Sequence, residues 1–122
     1  MEYILQKIKS THEKLINNIS TEFEDRIDYE QDICYDQHRN SMDEFASCAC
    51  EVKIAAESRV QLYKKKIAYV SFVTSRCLLA ESSNAMKCRD DALNSSQEIM
   101  NVELEFIKNW NPHVPHVPTY QE

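Results

Sequence analysis

The sequence predicts an all-α protein: an antiparallel bundle of three long helices, or four if one of them breaks, with hairpin ends stapled by disulfides. Three observations predict it. The 122 residues contain no glycine, and all three prolines lie in the last eleven positions, at Pro112, Pro115 and Pro118. The apolar residues of the first 111 positions recur at helical spacing. Four of the five cysteines stand symmetrically about two polar stretches.

The missing glycine excludes much. Tight strand hairpins need residues at positive φ, and phosphate-binding loops need close backbone approach, so both are set aside. Ordinary usage would supply roughly 7% glycine. With 43% hydrophobic and 28% charged residues the chain has the composition of one globular domain.

One apolar stripe runs through Ile4, Ile8, Leu15, Ile19, Phe23, Ile27 and Ile33. A second joins Met42, Phe45, Ala49, Val52, Ala56, Tyr63, Ile67, Val70 and Cys77. A weaker third holds Met86, Leu93, Ile99, Phe106, Ile107 and Trp110. A single helix of this length would extend about 165 Å and could not bury its own stripe, so the chain folds back or pairs with another. Capping boxes, in which Ser or Thr precedes an acidic residue by three, occur at Ser10/Glu13, Thr21/Glu24, Ser41/Glu44 and Ser95/Glu98. Four matches exceed the number of helix starts. Local polarity places the breaks at Arg39-Asn40-Ser41 and Ser82-Ser83-Asn84, giving helices over 2–38, 42–81 and 84–110. A further break at 17–21 or 94–96 would make a fourth helix. Residues 1–111 thus form the bundle domain. Residues 112–122, NPHVPHVPTYQE without its first Asn, have proline every third position and read as an extended tail or linker. His113 and His116 would share one side of that tail, exposed rather than metal-bound.

Cys34 and Cys48 are equidistant from residue 41, and Cys77 and Cys88 from the point between 82 and 83. In antiparallel hairpins such residues face each other, so the expected disulfides are Cys34–Cys48 and Cys77–Cys88, each stabilising by about 2–4 kcal/mol. Cys34 and Cys77 would lie tens of Å apart, beyond disulfide reach. Cys50 can replace Cys48 as the partner of Cys34; the two point about 200° apart around a helix, so one of them is left over. A zinc site is the alternative use of these residues. Cys34 and His38 stand i, i+4 on one helix face, and Cys48 and Cys50 complete a nominal Cys₃His set, although a helical Cys-x-Cys turns its sulfurs apart. In the other alternative all five thiols are reduced packing residues of an intracellular coiled-coil or scaffold protein that self-associates as a homo-oligomer.

The remaining motifs bound the function. Asn18 and Asn94 begin N-glycosylation sequons. The net charge of −6 argues against a nucleic-acid partner, and Lys64, Lys65 and Lys66 read as a solvated helix face. No run of ~18 apolar residues is present to span a membrane. The first residues do not form a signal peptide, so either the protein is cytoplasmic or Met1 opens a mature domain cut from a longer precursor. No serine elbow or Cys/His constellation with an oxyanion site stands out, so no enzyme and no cofactor is expected. Tyr63, Tyr69, Phe72 and Trp110 are candidates to line a pocket for a small apolar ligand, with core packing as the plainer reading.

The stretches ICYDQH, EFASCACEVKIAAESRVQLY and VTSRCLLAESSNAMKCRDD, spanning Cys34 to Cys88, resemble the insect TsetseEP domain family in cysteine spacing and texture. The resemblance covers less than half the chain, and the Cys48-Ala49-Cys50 doublet departs from a simple even cysteine framework. It implies an extracellular insect protein with no enzymatic activity and transfers no site residues. The expectation from the whole sequence is a secreted, non-enzymatic helical protein that binds a protein partner or a small apolar ligand.

Overall fold

The computed structural model describes residues 2–80 and 84–113, with the backbone alone at Glu2. Three helices follow in order: α1 (Glu2–Gln37), α2 (Met42–Leu79) and α3 (Ala85–Asn109). Each packs against both others, so the three-helix bundle is the fold. The expected second turn at Ser82-Ser83, His116, and the tail from residue 114 onward lie outside the described residues.

The helix ends follow from local chemistry. Ser41 is the N-cap of α2: its backbone is extended and its hydroxyl accepts from the Glu44 amide at 3.2 Å. Asp43 and Glu44 place negative charge in the first turn, where the helix dipole favours it. Asn84 caps α3 in the same way, accepting from the Lys87 amide at 3.2 Å. The other capping-box matches do not start helices. Thr21 instead donates to the carbonyl of Asn17, four residues back. Helices α1 and α3 run unbroken through 17–21 and 94–96, so the four-helix variant is corrected to three.

The core sits between the helices in two clusters. The larger contains Ile19, Phe23, Ala56, Tyr63, Ile67 and Ile107, with Val60, Phe106 and Trp110 packed around them. Phe23 meets Trp110 edge-on, ring centres 5.8 Å apart. The smaller holds Ile8, Val70 and Ala92. Two stripe residues are misplaced in the sequence reading: Met42 and Met86 sit at helix starts and are exposed.

Length mismatch shapes the molecule. Helices α1 and α2 have 36 and 38 residues, α3 only 25. At 1.5 Å per residue α3 is roughly 15–20 Å shorter. Trp110, the C-cap of α3, reaches α1 at Phe23 and Arg26. Beyond that level the α1–α2 hairpin continues as two helices to the Cys34–Cys48 end. Residues 111–113 follow onto this stretch, where Pro112 and His113 lie against Gln37, His38, Cys48 and Val52.

Candidate functional site

Each hairpin is closed by a disulfide, Cys34–Cys48 joining α1 to α2 and Cys77–Cys88 joining α2 to α3, both with Cα atoms 5.8 Å apart. Mirror symmetry about the two turns identifies both pairs. Cys48, not Cys50, is the partner of Cys34, because α2 turns Cys48 toward α1. Cys50, two positions on, is exposed and free. The Cys₃His set of Cys34, His38, Cys48 and Cys50 is therefore not assembled. Two of its sulfurs are bonded to each other, Cys50 points away, and His38 Nδ1 stands 3.1 Å from Glu44 Oε2.

The histidine that does reach the first disulfide is His113. Its Nδ1 lies 3.9 Å from Cys48 Sγ. Its Nε2 is 2.7 Å from Glu30 Oε2, an ion-pair contact off the line of a hydrogen bond. Glu30 is buried and is held by Arg26 at 2.8 Å, while Arg26 also donates to the Trp110 carbonyl. The sequence reading of His113 as an exposed linker residue is corrected: it is half-buried against the hairpin end.

Two further polar groups lie inside the bundle. His12 is sandwiched between Ser71 of α2, at 2.9 Å from Nδ1, and Ser96 of α3, at 2.7 Å from Nε2. The Ser96 hydroxyl donates to the Ala92 carbonyl at 2.8 Å. Its lone pairs therefore face His12, so Nε2 carries the proton and Nδ1 accepts from Ser71. Burial lowers the His12 pKa, in keeping with that neutral ring. Both His12 and Ser96 are closed to solvent, so this Ser–His–Ser chain acts on packing, not on a substrate. Farther along, Arg59 Nε meets buried Glu103 Oε2 at 2.6 Å and covers the Phe106 ring at 4.1 Å. The Tyr63 hydroxyl is buried with no hydrogen-bond partner among the described residues. Burial, and then the charge of Glu103, push its pKa up to about 12.

Of these buried polar residues, the sequence points to the core only for Tyr63. His12, Glu30, Ser96 and Glu103 occupy core positions of their helices, which composition disguises as surface. The readable signal was spacing: Glu30 lies seven residues after Phe23 and four before Cys34, and Glu103 lies four before Ile107.

The proposed aromatic pocket is not assembled. Tyr63 is in the core, Trp110 rests on Phe23, and Tyr69 and Phe72 are exposed on α2, with Arg76 over the Phe72 ring at 5.0 Å. An open groove of about 570 Å³ lies instead between α1 and α2. Its floor is Phe23, Ile27, Ala56 and Val60, and Ile54 stands at its wall. Glu24, Glu57, Lys53 and Lys64 line its rim, so one lysine of the basic run belongs to it. Asn18 and Asn94 are both exposed, each in mid-helix. No helix among the described residues is long and apolar enough to cross a membrane. Comparison with protein-family models, with curated proteins and with solved structures finds no match to this chain.

Proposed function

We propose that the protein is a secreted, non-catalytic helical binding protein that takes a small apolar ligand in the α1–α2 groove. The observation that carries this reading is the pair of disulfides, one closing each hairpin. Such bridges persist in oxidising compartments and are rare where glutathione keeps thiols reduced. Cys34–Cys48 also ties α1 to α2 at the end of the hairpin that carries the groove, which helps keep the groove from collapsing. The groove's volume suits a small molecule, and its mixed-charge rim leaves an apolar body as the recognised part. The resemblance to the TsetseEP domain family points to the same extracellular setting, in which exposed Asn18 and Asn94 would be open to glycosylation.

Titration with a fluorescent acyl-chain probe tests the ligand. The wild-type chain should bind one equivalent, and Val60→Glu, which places a charge on the groove floor, should abolish binding without loss of helix. Absence of saturable binding would leave a protein partner as the recognised species. A second reading, self-association, has its own support. Leu62 and Tyr69, and Phe72 and Leu79, are spaced seven apart and exposed on the outer face of α2, as in a helix-pairing seam. Light scattering decides that point, since a strict monomer at high concentration removes it.

A further inference from the structure

Among the described residues, the Cys34–Cys48 disulfide has a histidine neighbour and Cys77–Cys88 has no metal-ligating group placed in the same way. One ligand atom from each of Cys34, Cys48 and His113 lies within 4.8 Å of the others, the one such trio found among the described residues. The trio is not a chance meeting of surface groups. Cys34 is fully buried, and His113 is oriented by a buried carboxylate, Glu30, that faces its Nε2. Arg26 fixes Glu30 in turn. A carboxylate on one ring nitrogen with the other nitrogen turned to the ligand cluster is how proteins orient a metal-binding histidine. Nδ1, on the other side of the ring from that carboxylate contact, lies 3.9 Å from Cys48 Sγ, and a disulfide sulfur has no hydrogen to offer it.

We propose that this end of the bundle is a redox-gated site for a soft divalent metal ion of the zinc type, bound by Cys34, Cys48 and His113 when the disulfide is reduced. The distances fit. Zinc–sulfur and zinc–nitrogen bonds of about 2.3 and 2.0–2.1 Å put tetrahedral S and N ligands about 3.6 Å apart. The present 3.9 Å requires little movement of His113. The two sulfurs need only separate to the same order of distance, which side-chain rotation provides. Two thiolates select soft ions over calcium or magnesium, and a fourth position stays open to water.

The redox step balances with a dithiol or phosphine as reductant. With a phosphine, the S–S bond breaks and accepts two electrons and two protons. The phosphine becomes its oxide, taking oxygen from water. Metal binding then releases the two thiol protons. In the reverse direction a small-molecule disulfide takes the two electrons by thiol–disulfide exchange and, with two protons from water, leaves as two thiols, so that Cys34–Cys48 re-forms and the ion is expelled. Neither direction depends on the groove or on secretion, so the test below stands or falls apart from the proposed function.

The experiment uses the full chain carrying Cys50→Ser, which removes the odd thiol, with Co²⁺ as the spectroscopic probe. Phosphine-reduced protein should bind one Co²⁺ with a sulfur-to-metal charge-transfer band and tetrahedral visible bands, displaced by Zn²⁺. Oxidised protein should show neither. The Cys77→Ser/Cys88→Ser variant should bind as well as its parent, and Cys34→Ser/Cys48→Ser should not bind. His113→Ala should weaken binding at least tenfold and Glu30→Gln about tenfold. Far-UV circular dichroism is recorded on each sample. The proposal is overturned by a folded, reduced chain that gives no band, or by a band unchanged in His113→Ala. A band that survives Cys34→Ser/Cys48→Ser overturns it too, as does loss of the helices on reduction.

Discussion

His12 Nε2 lies 2.7 Å from Ser96 Oγ although 84 residues separate them. With Ser71 on its other nitrogen, at 2.9 Å, the ring joins all three helices. A charged imidazolium there would lose water on every side. Burial therefore holds the His12 pKa below its ordinary 6.5. As pH falls past 6.5 the unfolded chain takes up a proton that the folded chain does not. The unfolded state then binds more protons, so stability declines with falling pH and the loss is complete below the folded pKa. Wild-type protein should lose more melting temperature between pH 7 and pH 5 than His12→Leu. Equal slopes would show that His12 does not titrate on unfolding.

The same ring predicts a mutational asymmetry. Ser96→Ala leaves the Nε2 proton without an acceptor inside the bundle. The cost should be about 1–3 kcal/mol, read from urea unfolding at neutral pH. Substituting a serine on the exposed face, such as Ser58, should change stability by less than about 0.5 kcal/mol.

Arg59 and Glu103 form a second cross-helix pair at 2.6 Å, with Glu103 almost wholly buried. Breaking such a pair from one side strands a charge. Arg59→Ala should destabilise by roughly 3–5 kcal/mol. Because the other member causes most of that loss, Arg59→Met/Glu103→Leu should recover most of it. A double variant no more stable than Arg59→Ala would mean that the pair itself, not the stranded charge, supplied the stability.

Tyr63 gives the opposite expectation. Its hydroxyl is buried without a partner among the described residues, so Tyr63→Phe removes a polar atom that makes no compensating bond. Stability at neutral pH should hold or rise. Burial and Glu103 raise the pKa from 10.0 to about 12. The unfolded chain therefore ionises first as pH rises, and the wild type should lose stability between those values, by roughly 2–3 kcal/mol at most. Tyr63→Phe should lack that loss in alkaline melts.

Much of the fold was legible because its signals were local or symmetric. The absence of glycine, three apolar stripes and Ser41 at a real N-cap located α1 and α2 to within two residues of their ends. The cysteine spacing about residue 41 read out the Cys34–Cys48 pairing because a helical hairpin converts sequence symmetry into contact. The polar interior was not legible. Glu103 is acidic, and its justification, Arg59, is 44 residues away on another helix. His113 was hidden by its proline-rich setting; its contact with Glu30 arises because α3 stops short of the hairpin end and leaves it uncovered. The aromatic residues misled for a related reason. Tyr63 and Tyr69 share one helix, but six residues is nearly two turns less a third, enough to send one inward and one outward.

Each staple should be separable from the other. The loops they close are similar, with sequence separations of 14 and 11. Cys34→Ser/Cys48→Ser and Cys77→Ser/Cys88→Ser should thus each cost about 2–4 kcal/mol in urea unfolding. An unaltered midpoint in either variant would mean that the bridge adds nothing to a hairpin already held by its core.

The central claim is a three-helix bundle closed at both hairpin ends by Cys34–Cys48 and Cys77–Cys88, with Cys50 free. Alkylation without reductant, followed by peptide mass mapping, tests it most directly. The account predicts a single label, on Cys50, and the two cross-linked peptide pairs just named. Five labelled thiols, or a bridge from Cys34 to Cys50, would contradict it.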